Sequence, residues 1–267
     1  MAEDIGDGDH SALSAIPADT ISKAQMIIKG EGLIAGLELA RQIFAVVDPA
    51  LQVKALATDG EHVKYGDIVL QVHGSARSIL GAERLVLNCV QRMSGIATYT
   101  NHLTKLIAGT TATLLDTRKT TPNFRLPEKW AVFIGGGKNH RFGLYDMIML
   151  KDNHIDFAGG VGAAIYAAQA YLDKHQKNLK IEVETRTLEE VQQVLDAGGV
   201  DVIMLDNMAP ALLKDAVSLI GGQFKTEASG GITESTIREV AETGVDYISV
   251  GALTHSVKSL DISLKAF

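Results

Sequence analysis

Apolar positions in the first hundred residues switch between two spacings. Ala24 to Lys29 reads as extended chain. Leu33 to Val47 then carries Leu33, Leu37, Ala40, Ile43, Phe44 and Val47 at the interval of one helix face, and Asp48-Pro49 closes the helix. Val53 to Thr58 and Asp67 to His73 flank the turn Asp59-Gly60. In the second of these, Ile68, Leu70 and Val72 alternate with polar partners, so the two read as a hairpin-like pair of strands. From Ser75 to about Ile107 helical spacing returns, with Ala82, Val86, Cys89, Val90, Met93 and Ile96 on one face. Gly95 is the expected kink, and this helix reads as the hinge between two halves.

Beyond it the pattern becomes strand, loop, helix, repeated. Short apolar runs at Thr113–Leu115, Met147–Leu150, Ile181–Val183, Val202–Leu205, Lys225–Ala228 and Tyr247–Val250 predict strands. Val161–Asp173, Leu188–Asp196, Pro210–Ile220 and Thr233–Glu242 predict amphipathic helices between them. Continuous apolar strands alternating with helices predict a parallel sheet covered on both faces. Each strand runs into chemistry-bearing residues: Asp116-Thr117-Arg118-Lys119, Lys151-Asp152-Asn153-His154, Glu184-Thr185-Arg186, Asp206-Asn207, Ser229-Gly230-Gly231 and Gly251-Ala252. In a (β/α) barrel the carboxyl ends of the strands share one face, so these groups would surround one pocket. Spacing alone leaves a doubly wound open sheet as the alternative.

Composition narrows the class. At 267 residues, 46% hydrophobic and 21% charged, the chain has the balance of a globular protein, which excludes disorder. No apolar run approaches the ~20 residues of a membrane span, and the acidic start Met1-Ala2-Glu3-Asp4 is not a signal peptide, so a soluble cytoplasmic protein is expected. Cys89, between apolar neighbours, reads as a buried inert thiol. A net charge of -7 argues against nucleic acid or an anionic membrane as a partner. Against that deficit, Thr117 to Lys151 holds Arg118, Lys119, Arg125, Lys129, Lys138, Arg141 and Lys151 with only Glu128 and Asp146 to balance them, interleaved with Gly135-Gly136-Gly137 and His140. A unit pair at ~4 Å is worth about 4 kcal/mol at an effective dielectric of 20, while distant charges are screened over about 8 Å; local cations therefore decide, and they point to an anionic ligand.

Ser229-Gly230-Gly231 and Gly251-Ala252, each before an expected helix start, suit a phosphate cradle. Glu184 and Asp206 could meet ribose hydroxyls or Mg²⁺, or could pair with cations across the pocket. His140, His154 and His255 come without a zinc spacing, and there is no Walker A or GxSxG sequence.

Leu114-Leu115-Asp116-Thr117-Arg118-Lys119-Thr120-Thr121-Pro122, Gly135-Gly136-Gly137-Lys138-Asn139-His140-Arg141-Phe142-Gly143-Leu144, Leu150-Lys151-Asp152-Asn153-His154, Glu182-Val183-Glu184, Leu205-Asp206-Asn207 and Ser229-Gly230-Gly231-Ile232 resemble the quinolinate phosphoribosyltransferase family, the decarboxylating nicotinate-nucleotide pyrophosphorylases. The similarity runs in order over nearly the whole chain, including Glu3 to Asp9, Glu83-Arg84 and Ser94 to Thr98. It implies an α/β fold: an incomplete (β/α) barrel of the type II phosphoribosyltransferases over residues 102–255, and an N-terminal α/β sandwich domain over residues 1–101 with 256–267 packed on it. It also implies a head-to-tail homodimer, with further assembly into a hexamer open. The implied reaction joins quinolinate to phosphoribosyl pyrophosphate with Mg²⁺, giving nicotinate mononucleotide, pyrophosphate and CO2 for NAD biosynthesis.

By the same resemblance, Arg118, His140, Arg141 and Lys151 would hold the pyridine dicarboxylate, with Arg92 reaching in from the partner subunit. Lys119 would meet both ligands' anions, and Lys119 and Lys151 would join Glu184 and Asp206 as the catalytic groups. Glu184 and Asp206 would meet ribose and Mg²⁺. Ser229, Gly230, Gly231, Gly251 and His255 would contact the 5′-phosphate and diphosphate. The choice of Glu184 over Glu182 stays open, because strand alternation puts both on one face. Two departures from the family pattern stand out: the chain starts almost at the Glu-Asp motif, so the usual first helix is expected to be short or missing, and Asn123-Phe124 replaces Gly-Leu after Thr-Pro. Three rivals remain: a molybdenum-transport-associated relative acting on another pyridine acid, a non-catalytic sensor of pyridine carboxylates, and an aldolase-like barrel using Lys151 as a Schiff-base amine.

Overall fold

The computed structural model describes residues 2–267; Met1, with which the acidic start opens, lies outside the described residues. The chain forms two units. One comprises the residues up to Asn101 together with Thr121–Gly136 and Ser256–Phe267; the other comprises His102–Thr120 and Gly137–His255.

In the first unit, α1 (Ala2–Ile5) and α2 (His10–Ala15) precede β1 (Ile21–Ile28), β2 (Gly32–Leu33), α3 (Leu37–Val47), β3 (Gln52–Ala55), β4 (His62–Val63), β5 (Ile68–Ser75) and α4 (Ala76–Leu106). β1 pairs antiparallel with β5 and β5 with β3, so the expected hairpin-like pairing forms, while β2 and β4 make a separate ribbon. Period-2 alternation turns Ala24, Met26 and Ile28 of β1 inward against Leu70 and Val72 of β5. Leu37, Ala40 and Phe44 of α3 and Ile79, Ala82, Val86 and Val90 of α4 complete this apolar core. Leu33 belongs to β2 rather than to the helix, which begins at Leu37 after Gly36 takes φ 99°, a conformation glycine reaches freely. Gly95 does not interrupt α4; a Cβ there would strike the backbone of Lys258 and Ser259, so close approach of two chain segments explains the glycine better than a kink. Cys89 is buried, and burial pushes its thiol pKa up, as an inert thiol requires.

Residues 121–136, which a division at residues 102–255 assigns to the barrel, group with this first unit. The cause is local: in α5 (Arg125–Ile134) the fully buried Glu128 binds Arg92 of α4 at 3.0 Å and accepts from both the backbone and the hydroxyl of Thr121. A Cβ on Gly135 would meet Ala97 and Thr100 of α4.

The second unit is built from β6 (Thr113–Leu115), β7 (Ile148–Leu150), α6 (Asp152–Ala158), α7 (Val161–His175), β8 (Ile181–Thr185), α8 (Leu188–Ala197), β9 (Val202–Asp206), α9 (Pro210–Ile220), β10 (Lys225–Ser229), α10 (Ile237–Ala241), β11 (Tyr247–Ser249) and α11 (Ala252–His255). Its six strands are all parallel, in the order β6-β11-β10-β9-β8-β7. Chain neighbours stay neighbours from β7 to β11, and the first strand lies beside the last. That is the cyclic order of a barrel with one ladder missing, between β6 and β7, and not the interior reversal of a doubly wound sheet. The free edge of β6 is instead covered by residue 138, whose backbone exchanges bonds of 2.8 and 3.2 Å with Leu114 and Asp116. The incomplete barrel is therefore what forms.

One predicted helix shrinks. Thr233 does not start a helix; the side chains of Thr233, Ser235 and Thr236 bond one another in a turn, and α10 begins only at Ile237. Finally β12 (Ile262–Ala266) returns to the first unit and pairs antiparallel with β1, completing the sheet order β12-β1-β5-β3. No helix among the described residues is long and apolar enough to cross a membrane.

Candidate active site

Register gathers the carboxyl ends of the six strands at one level: Leu115 opposite Ser249, Leu150 opposite Val183, Thr185 opposite Leu205 and Asp206 opposite Ser229. The residues that follow them line a cavity of about 840 Å³, within the ~300–1,000 Å³ of ligand pockets. It takes Arg118 and Lys119 after β6, Lys151 after β7, Glu184 from β8, Asp206 from β9, Ser229, Gly230 and Gly231 after β10, and Gly251 and His255 around α11. His140 and Arg141 enter from the irregular segment before β7.

Twelve of the thirteen residues implicated by sequence therefore meet in one place. Arg92 is the exception, on α4 in the first unit, where it bonds Glu128 and the carbonyl of Val257. Of the seven cations between Thr117 and Lys151, only Arg118, Lys119, Arg141 and Lys151 line the cavity; Arg125 and Lys129 sit on α5, and Lys138 is exposed outside it. His154 instead caps α6, its Nδ1 accepting from the Lys151 backbone, and Arg186 pairs with Glu190 on the surface.

The cations are largely uncommitted. Lys151 Nζ lies 3.4 Å from Glu184. Among the described residues, neither Arg118, Lys119 nor Arg141 has a carboxylate within ion-pair distance, and Arg118 Nε is buried without a partner. The Arg141 guanidinium donates to the Met147 carbonyl and Met149 Sδ, both at 3.3 Å. Its pKa is pulled down by burial and by neighbouring Arg118, and pushed back up by Glu182 and Asp146. Guanidinium donors with no carboxylate of their own are a receptor for an anion that brings acceptors.

On the other side of the mouth, Gly230 and Gly231 take φ 89° and 62°. A Cβ on Gly230 would strike Asn207, and one on Gly251 would lie 3.0 Å from Lys119 and 3.1 Å from His255. Backbone and cation thus approach each other closely here without a long helix N-terminus behind either loop.

Beside the cations lies a group of buried acids: Asp116, which the strand-end pattern placed at the pocket, Glu182, the open alternative to Glu184, and Glu227, which the sequence reading missed. Asp116 accepts from the His140 backbone at 2.9 Å and from Asn139 Nδ2 at 2.6 Å. Glu182 is 2.9 Å and Glu227 3.5 Å from His140 Nε2. Burial first, and then the charge of Glu182, hold the Glu227 carboxyl well above its ordinary pKa. The signal for Glu227 was present in the sequence: a lone acid inside an otherwise interior strand.

The chain matches the family model described as quinolinate phosphoribosyl transferase, N-terminal domain, over residues 9–94, and the C-terminal domain of the same enzyme over residues 96–265. The chain belongs to the quinolinate phosphoribosyltransferase family. It is 51% identical to the chloroplastic nicotinate-nucleotide pyrophosphorylase (carboxylating) of Oryza sativa subsp. japonica, covering 99% of this chain and 75% of that one. It is 43% identical to the probable nicotinate-nucleotide pyrophosphorylase (carboxylating) of Bacillus subtilis, covering 98% and 89%. Among solved structures, the nicotinate-nucleotide pyrophosphorylase of Francisella tularensis superposes with a TM-score of 0.92 at 42% identity, covering 100% of this chain and 92% of that one.

For a phosphoribosyltransferase of this family the donor chemistry also suits a Mg²⁺ ion. Glu184 and Asp206 are hard carboxylate oxygens on neighbouring strands facing one cavity, and Mg²⁺ is commonly held by one or two carboxylates plus substrate phosphate. The other close donor set, His140, Glu182 and Glu227, mixes imidazole with carboxylate, and its nearest pair already bond each other.

Proposed function

We propose that this enzyme transfers the phosphoribosyl group of phosphoribosyl pyrophosphate to quinolinate with loss of CO2, yielding nicotinate mononucleotide and pyrophosphate for NAD biosynthesis. The observation that carries the reading is the set of cations without carboxylate partners, Arg118, Lys119 and Arg141, facing two carboxylates and two glycine loops across one cavity. Arg118, Arg141 and Lys151 take the two carboxylates of quinolinate, Lys119 lies between the two ligands, and Ser229, Gly230, Gly231, Gly251 and His255 receive the phosphates.

The chemistry follows from charge. Departure of pyrophosphate leaves positive charge on the sugar carbon, which Glu184 and Asp206 stabilise while Lys119 offsets the leaving anion. Glu184 and Asp206 would hold Mg²⁺, which would supply further neutralisation of the diphosphate. The pyridine nitrogen, oriented by the arginines, forms the new bond to that carbon. The ring nitrogen is then cationic, so the electron pair left at C2 by departing CO2 is stabilised beside it, and a proton from Lys151 or water completes the product. No organic cofactor is needed, because the substrate is its own electron sink.

Incubation with phosphoribosyl pyrophosphate, Mg²⁺ and carboxyl-labelled quinolinate should release labelled CO2, with release dependent on Mg²⁺. Absence of release removes the reading. Asp206→Asn should slow kcat by about 100-fold or more with the fold retained, as expected for loss of an electrostatic group at the reacting centre.

The enzyme works in the cytoplasm as a head-to-tail homodimer in which Arg92 completes the partner's site. Arg92→Ala mixed with Asp206→Asn should regain activity that neither has alone; no recovery would return Arg92 to a purely structural pairing with Glu128.

A further inference from the structure

Among the described residues, three other than glycine take a positive φ: Asn123, Gln176 and Asn207. Asn123 lies in the turn before α5 and Gln176 closes α7, both ordinary places for such a residue. Asn207 alone of the three lines the cavity, directly after Asp206, the last residue of β9. At φ 53° asparagine is tolerated better than most side chains, but glycine takes this conformation freely. The backbone by itself therefore does not account for the asparagine. Its side-chain amide does.

Asn207 Nδ2 donates to Asp206 Oδ2 at 2.7 Å, and no other group among the described residues bonds that carboxylate. A carboxylate at the end of a strand turns about its own torsions unless a donor fixes it, and here one donor does so while Oδ1 stays open to a ligand. The donor is itself held. Asn207 N donates to the Ser229 carbonyl at 2.8 Å, extending past β9 the pairing that sets Asp206 opposite Ser229. On its other side the amide lies against Gly230, where an added Cβ would strike Asn207 Oδ1 and Cγ. The side chain thus stands between the carboxylate assigned to the sugar and the glycine loop assigned to phosphate. Reacting groups depend on such supporting contacts to stay within about 0.5 Å of a productive geometry.

We propose that Asn207 is a positioning residue for the phosphoribosyl step: its amide aims the Asp206 carboxylate at the sugar, and its packing against Gly230 sets the spacing between that carboxylate and the phosphate loop. This rests on phosphoribosyl pyrophosphate being a ligand of the cavity. Two consequences separate the role from general support of the barrel. Asn207 acts on the rate through Asp206, so once position 206 carries no charge the amide has nothing left to aim. Quinolinate, taken by cations on other loops, is indifferent to it.

The test is a double-mutant cycle of Asn207→Gly with Asp206→Asn on the full chain. Initial rates give kcat and both KM values, titration calorimetry without metal gives Kd for phosphoribosyl pyrophosphate, and thermal midpoints are recorded in parallel. Asn207→Gly keeps the backbone conformation and removes only the amide. It should lower kcat by about tenfold or more, the scale of one lost bond to a charged group. Kd for phosphoribosyl pyrophosphate should weaken by about threefold or more through the loosened glycine loop, while KM for quinolinate stays within about twofold. In the Asp206→Asn background the same change should lower kcat by no more than about twofold further. Asn207→Asp, which sets a like charge against Asp206, should lower kcat more than Asn207→Gly does. Should Asn207→Gly lose its cooperative transition, Asn207→Ala replaces it in the cycle. An unchanged kcat in Asn207→Gly, or losses that multiply with Asp206→Asn, would overturn the proposal. Equal weakening toward both substrates would reduce Asn207 to support of the barrel and overturn it too. Wild-type protein that neither binds phosphoribosyl pyrophosphate nor releases CO2 would instead overturn the functional reading, and the unmutated control makes that outcome distinct.

Discussion

The two larger sheets differ in what they bury: the four-stranded sheet buries apolar side chains, and the six-stranded parallel sheet buries acids and hydroxyls alongside its apolar ones. The β12-β1-β5-β3 sheet turns Ala24, Met26, Ile28, Leu70, Val72, Ile262 and Leu264 inward, all apolar, onto Phe44 and the inner face of α4. The parallel sheet buries Glu182, Glu184, Thr185, Thr226, Glu227 and Ser249 within its strands and Asp116 just past one of them. Apolar burial is worth about 25 cal/mol per Å², whereas a buried carboxylate costs several kcal/mol unless it is paired or protonated. A chain that meets this cost in one sheet and avoids it in the other has separated the work of holding together from the work of holding a ligand.

Substitutions should respect that separation. Phe44→Ala empties a fully buried aromatic position in the apolar core and should cost roughly 3–5 kcal/mol of stability, read as a lowered denaturation midpoint. KM for quinolinate should not change, because the cavity lies wholly in the other unit. A KM shift at an unaltered midpoint would reverse the comparison. Arg118→Ala should do the opposite. Loss of charge-assisted bonds is worth about 1.5–3 kcal/mol, so KM should rise by roughly 10- to 100-fold. The denaturation midpoint should hold or rise, since Arg118 has no ion partner and repels Arg141. Unchanged kinetics would take Arg118 out of the site.

The same contrast explains what the sequence could disclose. Apolar periodicity is written by burial, so all six strands of the barrel, and the helices from Val161 to Ile220, are legible to within two residues. The charged strand ends are legible because parallel strands must expose their carboxyl termini together. Other features were not, α5, α6 and β12 among them. Thr233 to Thr236 adjoins the apolar spacing of the helix that follows, but its hydroxyls bond one another and delay the helix to Ile237. The glycines at 135–137 stand among cations and suggest a ligand loop, yet Gly135 is small because α4 passes against it. Close approach between segments distant in sequence leaves no periodic trace. For the same reason the acids at 116, 182 and 227 were visible one by one, while their convergence on His140 was not.

The smallest expected effect tests whether that group of buried acids is held at a cost. Glu227 is almost wholly buried, and its carboxyl pKa is raised well above the ordinary value, first by burial and then by Glu182, so folding favours its protonated form. A carboxyl whose pKa is higher in the folded chain than in the unfolded one makes the folded state bind more protons between those two values. Its contribution to stability is therefore fully present below about pH 4.5, the unfolded value, and is lost as pH rises through the folded one. Glu227→Gln keeps the shape and has no proton to lose, so this loss should vanish. Denaturation midpoints of the two proteins should diverge steadily from about pH 5 upward, with the glutamine variant the more stable at the alkaline end. Parallel curves would mean that Glu227 is accommodated as comfortably as a methionine in the other sheet, and among the acids the contrast between the two interiors would then rest on Asp116, Glu182 and Glu184.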